Sequence, residues 1–433
     1  MTKILGFLKK HCVLFLVLIF LPLYHMFVVN NGMWMCVGPE TYAYHAVDYS
    51  MGFCNGFLPG AVYGMLVGVY NETAVNIYLT VLYFVFILIV AFLAEKFAAA
   101  FPEYKAECFI LSFIFLTGPF SVGMFAKQFG MLDFYWALLF ACSILFLRNK
   151  ILKYALPVLA ALMIITHYGA LLSYVAVMLL ILLFEIARSA DKKDRTSYLV
   201  IFCVTLFLSV GLTLYFLVSN ESNLVYPVEV FDSILRDERG VNNTLYYDFY
   251  CYGAIDKSVL ESWPEEMQSF ITGFFELFGS AKGSATPWYR ALFESVSVQI
   301  QATMYQMRNR SVWFVNLIAI IPQIFLYGIL ISYIKKADNL LKKITTVLMM
   351  LLSVIIELVG ILFSIDNTRW LGNSIILLFV YVLYTIRFDY PEGMTKIRSW
   401  FSKKGYGIAL ITAFVYSCIV VDPYTAKVVY NLI

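Results

Sequence analysis

The sequence predicts an all-α, polytopic integral membrane protein with about eleven transmembrane helices. Three observations carry that expectation. First, 61% of the residues are hydrophobic and 14% are charged, whereas a soluble domain carries about a quarter charged residues. Second, apolar runs of about 20 residues recur along the chain, each long enough to cross a bilayer as a helix. Third, Lys and Arg gather in alternate connections between the runs, as they do on the cytoplasmic side of a membrane. Lipid offers the backbone no hydrogen-bond partner, so only helices or a closed barrel can span it. The runs do not alternate polar with apolar residues, which argues against the barrel.

The elements follow in order. Lys3, Lys9 and Lys10 place the N-terminus in the cytoplasm, and the first span covers Cys12 to Val29. That run ends in Pro22, Tyr24 and His25 without a small-residue cleavage signature, so it reads as a retained helix. The first outer loop, residues 30–72, follows. Two membrane-parallel amphipathic helices are expected in it, Glu40–Met51 and Pro59–Tyr70, split by the turn-rich CNGFLPG. Span two, Thr73 to Leu93, returns to Glu95, Lys96 and Lys105 inside. Span three, Cys108 to Phe125, breaks at Gly118 and Pro119 and delivers Lys127 and Asp133 to the outer side. Span four, Phe134 to Leu147, ends at Arg148, Lys150 and Lys153 inside. Span five, Tyr154 to Ile165, reaches a second outer vertex, Thr166 to Gly169, that carries His167. Span six ends at Ile186 before a basic inner loop with Arg188, Lys192, Lys193 and Arg195.

Span seven, Tyr198 to Val218, leads to the longest polar segment, Ser219 to Arg310. It is too long for a simple linker. Amphipathic helices are expected in it around Met267–Phe278 and Tyr289–Met307. Spans eight (Val312–Tyr333), nine (Ile344–Ile365), ten (Trp370–Ile386) and eleven (Gly407–Val421) complete the chain. Asp366 and Arg369 lie at the outer turn between spans nine and ten, and the basic segment Arg387–Lys404 follows span ten inside. The chain thus divides into an N-terminal transmembrane module (residues 1–218), an extracytoplasmic loop region (219–310) and C-terminal transmembrane helices (311–433). The C-terminus is expected outside.

The eight cysteines are scattered with no CxxC pair, which argues against a zinc or thioredoxin-like site. Cys36 and Cys54 share the first outer loop, where a disulfide is permitted but unforced. Asn71, Asn242 and Asn309 begin Asn-X-Ser/Thr triplets on the outer side, of a kind that chance alone supplies in a chain of this size. The net charge of +3 says little by itself, because orientation depends on where charges fall.

Charged side chains near bilayer depth are costly and tend to be paired or functional. Here they gather at outer vertices: Glu40, His45 and Asp48; Lys127 and Asp133; His167; Asp366 and Arg369. A carboxylate beside a substrate hydroxyl serves as general base. Lys and Arg hold a phosphate and stabilise its charge as it leaves. Together these describe transfer of a sugar from a lipid phosphate to an acceptor hydroxyl at the membrane boundary. The chain has no Walker loop, HExxH motif or GxSxG elbow, which disfavours nucleotide hydrolysis, zinc proteolysis and serine hydrolysis. No basic groove with interleaved aromatics points to nucleic acid.

Each residue also has a plainer role. Pro39-Glu40 is a good helix start, and Asp48 suits an exposed amphipathic face. His45 and His167 suit structural hydrogen bonds. Lys127 can snorkel at a span end, and Asp366 with Arg369 can bridge two helix ends. Glu357, within span nine, has no evident role.

PETYAYHAVDYSMG (Pro39–Gly52) resembles the first-loop pattern of GT-C glycosyltransferases: an acid after the first span, then Tyr, Ala and Gly. These are polytopic enzymes that use polyprenyl- or dolichyl-phosphate sugars. FLPGAVYGMLVGVYNETAVNIY is similar to their segment leading to the second span, and TGPFSVGMFAKQFGMLDFYWALLFACSILFLRNK to their third and fourth spans. The likeness covers about the first half of the chain, and the long loop after span seven also fits; the type is that of the protein mannosyltransferases and aminoarabinose transferases. The resemblance implies Glu40 as catalytic carboxylate, Asp133 as a second acidic position and Lys127 as a donor-phosphate contact. The family often has Asp or Asp-Glu where this chain has Pro39-Glu40, so either Glu40 serves as base, or Asp48 does, or the site has drifted. A phosphate role for Arg369 rests on its chemistry alone.

The expected function is therefore a membrane glycosyltransferase in the cell membrane with an extracytoplasmic site. It would move a sugar, with inversion, from a polyprenyl-phosphate donor to a glycan, lipid or protein hydroxyl. No cofactor is expected, and the carboxylates show no recognisable metal-ligand spacing. A surface-polysaccharide polymerase or ligase is one alternative, although Ser219–Arg310 contains no His for such a site. A transporter or flippase for a lipid-linked sugar is another, although no internal repeat is evident.

Overall fold

The computed structural model describes residues 10–30, 32, 34, 41, 44–45, 49, 56–69, 72–121, 125, 129–218, 310–363, 367–421 and 428–429. Six of the described helices are long and apolar enough to cross a membrane: Cys12–Val29, Thr73–Ala100, Tyr168–Arg188, Lys192–Phe216, Leu340–Gly360 and Arg369–Phe388. Three shorter apolar helices, Leu132–Phe146, Leu152–Thr166 and Tyr406–Ser417, lie among them.

We number the elements along the chain. The helix α1 is Cys12–Val29. Pro22 has no amide to donate within it, and π-helical turns over Leu16–Phe20 and His25–Val29 flank that interruption. Next come α2 (Leu58–Leu66), α3 (Glu72–Ala100), α4 (Lys105–Thr117), α5 (Leu132–Phe146) and α6 (Leu156–Thr166). Then follow α7 (Tyr174–Arg188), α8 (Lys192–Val218), α9 (Arg310–Lys336), α10 (Leu340–Phe363), α11 (Asn367–Phe388), α12 (Gly393–Lys404) and α13 (Tyr406–Ser417). A two-residue strand pair, Val420–Val421 with Val428–Val429, closes the described chain.

The expected spans overlap these helices, and in six cases, spans one, two, six, seven, nine and ten, the helix is long and apolar enough to cross a membrane; span eleven, expected to reach Val421, ends as a helix at Ser417. Two elements were not anticipated, the short strand pair at Val420–Val421 and α12. The stretch Arg387–Lys404 reads as a basic connection, yet from Gly393 it is helical. Its Ile397 and Phe401 are buried, while Lys396 reaches the Gly328 carbonyl and Arg398 reaches Glu107. Apolar residues four apart make one face of a helix, a signal that the basic residues between them obscure.

The two transmembrane modules form one bundle. The helix α7 packs on α8, α10 and α11, and α10 with α11 forms an antiparallel hairpin. Across the bundle, Tyr174 donates to Asn373 Oδ1 at 2.7 Å and Tyr384 donates to Glu185 Oε1 at 2.6 Å. At the far side, the Tyr24 hydroxyl donates to the Ser417 carbonyl at 2.6 Å, tying α1 to α13.

The described ion pairs fall at the two ends. One end holds Arg188 with Glu185, Lys342 with Asp389, Lys336 with Glu392 and Arg398 with Glu107. Both members of each pair lie near helix ends or in connections on the Lys/Arg-rich side of the sequence pattern. The opposite end holds Asp133, His167 and Arg369, and it positions the candidate site.

Candidate functional site

The first turn of α5 organises this end. Met131 is extended, and Asp133, Tyr135 and Trp136 then leave the opening turns of α5 in different directions. Each meets a residue from a different outer vertex.

Asp133 meets Arg369 at the start of α11. Arg369 Nε donates to Asp133 Oδ2 at 2.8 Å, and Nη2 stands 2.7 Å from the same oxygen. The side chains are only 9% and 15% exposed, for Asp133 and Arg369 respectively, so this contact offsets part of the cost of burying the two charges. The carboxylate also sits where an α-helix N-terminus favours negative charge.

Tyr135 meets His45 of the first outer loop. Its hydroxyl lies 2.5 Å from His45 Nε2, and His45 Nδ1 lies 2.6 Å from the Thr41 carbonyl. His45 is fully buried, ringed by Tyr63, Tyr78 and Tyr135 with centroids 5.8 Å away in each case. Thr41 in turn donates to the Phe129 carbonyl at 3.0 Å. Between them, Gly130 adopts φ +84, a conformation that side chains rarely take; a Cβ there would stand 2.5 Å from Thr41 Cγ2. The glycine lets the first loop close directly onto the start of α5.

Trp136 meets His167 in the turn between α6 and α7, with ring centroids 5.7 Å apart. The Met163 carbonyl accepts from both the Trp136 indole and the His167 amide, each at 3.1 Å. His167 Nδ1 accepts from the Gly169 amide at 3.1 Å, so the neutral ring carries its proton on Nε2. Burial lowers the His167 pKa from 6.5 to about 4; Asp133 opposes that shift and Arg369 adds to it. The ring is therefore neutral near pH 7. The Gly56 amide donates to the Ile165 carbonyl at 3.3 Å, a further tie between the first loop and this turn.

Four of the expected site residues, Asp133, His45, His167 and Arg369, thus converge on one turn of one helix. Glu40, Asp48, Lys127 and Asp366 lie outside the described residues. So do Cys36, Cys54, Asn71, Asn242, Asn309, both expected helices of the long loop and residues 219–309 of that loop. Among the described residues no group of three His, Cys, Asp or Glu side chains stands close enough to hold a metal ion. Tyr78, Tyr135, Trp136 and Asn373 escaped the sequence reading, because tyrosine and tryptophan are abundant throughout and read as interfacial anchors. The signal was local: FYW follows Asp133 directly, and three consecutive large aromatics at a helix start cannot all face lipid.

Chemically, a buried carboxylate–guanidinium pair with a neutral imidazole beside it holds a cation in a fixed orientation. A guanidinium carries five donors in one plane. Two of its nitrogens contact Asp133, which orients the plane.

Compared with known proteins, the chain matches no family model, no curated protein and no solved structure. The class rests on the fold itself. Several long apolar helices joined in one bundle define a multi-pass α-helical membrane protein.

Proposed function

We propose that the chain is a membrane glycosyltransferase of the GT-C type, crossing the bilayer about eleven times with its N-terminus in the cytoplasm. The observation that carries the reading is the meeting of Asp133, His45, His167 and Arg369, from four separate chain segments, at the first turn of α5. In this reading that end of the bundle is extracytoplasmic, opposite the Lys/Arg-rich end.

A polyprenyl-phosphate sugar binds with its phosphate against Arg369 and Lys127. Asp133 positions the Arg369 guanidinium. Glu40, or Asp48 in its place, takes the proton from an acceptor hydroxyl. The acceptor oxygen attacks the sugar C1 from the face opposite the phosphate. The C1–O bond to phosphate breaks, and the polyprenyl phosphate leaves with the bonding pair. Configuration at C1 inverts. The segment Ser219–Arg310 covers the site and selects the glycan, lipid or protein acceptor.

The test is transfer from labelled polyprenyl-phosphate sugars by Glu40→Gln and Asp48→Asn proteins that fold normally. Loss of transfer by about two to four orders of magnitude in one of them identifies the base. Wild-type rates in both would remove a carboxylate base from the first loop.

One observation favours a second reading, movement of a lipid-linked sugar across the bilayer. Glu357 lies inside α10, where Ser374 Oγ stands 2.8 Å from its Oε1 and the Gln323 amide donates to the same oxygen. A carboxylate at that depth is typical of transport pathways. Scrambling of sugar lipids in proteoliposomes that Glu357→Gln abolishes and Glu40→Gln spares would favour transport over transfer.

A further inference from the structure

The helices α5 and α11 run in the same direction. Asp133 and Arg369 join them at one end. At the other end Arg148 and Arg387 lie over the same ring, with guanidinium carbons 4.2 Å and 5.0 Å from the Phe388 centroid. Between the helices runs a cleft of about 200 Å³, walled also by α3 and α4. Its lining is apolar over most of its length, with Phe86, Phe97, Phe140 and Leu383 among its walls. The room comes from α5, which presents Ala137 and Ala141 to it, one turn apart. At one extreme is Tyr174, whose ring lies 5.9 Å from Trp136. At the other are Arg148, Arg387 and Lys96.

The cations at this mouth are not matched by acids. Among the described residues neither Arg148 nor Arg387 makes a salt bridge. The buried carboxylate of that region, Glu185, is already held by Arg188 at 2.8 Å and by the Tyr384 hydroxyl at 2.6 Å. Elsewhere at the same end Lys342, Lys336 and Arg398 each have a carboxylate partner. Two like charges on one ring repel each other, and an anion between them relieves that repulsion. An apolar slot ending in two arginines matches an amphiphile with one negative head and one hydrocarbon chain.

We propose that this cleft binds an anionic membrane phospholipid, with one acyl chain between α5 and α11 and its phosphate between Arg148 and Arg387. The lipid wedges the two helices that carry Asp133 and Arg369, so it supports the far end of the bundle from below. The inference is independent of the reaction proposed for that end.

The test uses the full chain in nanodiscs of phosphatidylcholine containing phosphatidylglycerol, released into a native mass spectrometer. Wild-type protein is expected to retain phosphatidylglycerol over phosphatidylcholine. Arg148→Gln/Arg387→Gln is expected to lose that preference by about tenfold. Ala141→Phe, which fills the slot and leaves both arginines, is expected to lose the bound lipid as well. It decides the matter should the arginine variant fail to fold. Equal retention of the two lipids by wild type, or unchanged phosphatidylglycerol retention in either folded variant, overturns the proposal. Displacement by millimolar inorganic phosphate as readily as by phosphatidylglycerol also overturns it, because the hydrocarbon chain would then contribute nothing. So does loss of polyprenyl-phosphate binding, with phosphatidylglycerol retained, in Ala141→Phe.

Discussion

Asp133 and Arg369 are 236 positions apart in the chain, yet their side chains meet at 2.7 Å on the facing ends of α5 and α11. Because α5 belongs to the N-terminal module and α11 to the C-terminal one, this contact closes the bundle across the long loop. Arg148, in the turn just after α5, and Arg387, in the last turn of α11, stand at the other end, 15 and 18 residues further on. At about 1.5 Å per residue the Arg148–Arg387 mouth is roughly 25 Å from the Asp133–Arg369 pair.

Breaking that pair removes a buried charge–charge contact. Arg369→Gln or Asp133→Asn is expected to destabilise the protein by about 3–5 kcal/mol, whereas the double variant recovers part of the loss. Denaturation of the four proteins in detergent measures the coupling. Additive losses would mean that the two side chains do not depend on each other.

The His45 cage makes a separate prediction. Tyr135→Phe removes the hydroxyl that stands 2.5 Å from His45 Nε2 and also hydrogen-bonds Tyr78. A buried ring nitrogen that loses a partner costs about 1–3 kcal/mol. The same denaturation assay reads it, and a loss below about 0.5 kcal/mol would show that the contact is not a working hydrogen bond.

His167 gives a pH dependence whose sign is fixed. Its pKa is lowered from 6.5 to about 4 in the folded chain. Between those values the unfolded chain holds more protons than the folded one, so stability rises with pH across the window. Above 6.5 the residue has no effect. As pH falls from 6.5 towards 4 it progressively destabilises the fold. The melting temperature of the wild type, measured against that of His167→Gln, is therefore expected to fall over this window. A difference that stays flat from pH 7 to pH 4 would contradict the neutral, buried imidazole.

Gly130 tests the approach of the first loop. In Gly130→Ala the new methyl meets Thr41 Cγ2 at 2.5 Å and Leu79 Cδ2 at 2.8 Å, on a backbone with φ +84. A non-glycine residue held there costs about 1–3 kcal/mol. Adding Thr41→Ser removes one of the clashes and should return part of that stability. Wild-type melting of Gly130→Ala would mean that the loop does not close on α5.

The helices were legible because a bilayer imposes a simple code: long apolar runs and Lys/Arg in alternate connections. Residues such as Lys335 and Lys336 at the end of α9 state that code directly. The amphipathic α12 was not legible, since Ile397 and Phe401 sit among basic residues that fit an inner connection equally well. Asp133, His45, His167 and Arg369 could be singled out because a polar group at a span end is costly and rare. Their pairing could not. Asp133 is brought to Arg369 by the packing of α5 opposite α11, a contact that sequence order does not indicate. The tyrosine cage escaped for a related reason: 31 tyrosines in one chain make any single one uninformative until its neighbours are known.

The most direct measurement is photolabelling of the reconstituted protein with a benzophenone-bearing polyprenyl phosphate, followed by peptide mapping. Labels at the start of α5 and of α11, removed by Arg369→Gln in folded protein, are the result the glycosyltransferase account predicts. Labels confined to the Arg148–Arg387 mouth, or labels at α5 that persist in folded Arg369→Gln, would contradict it.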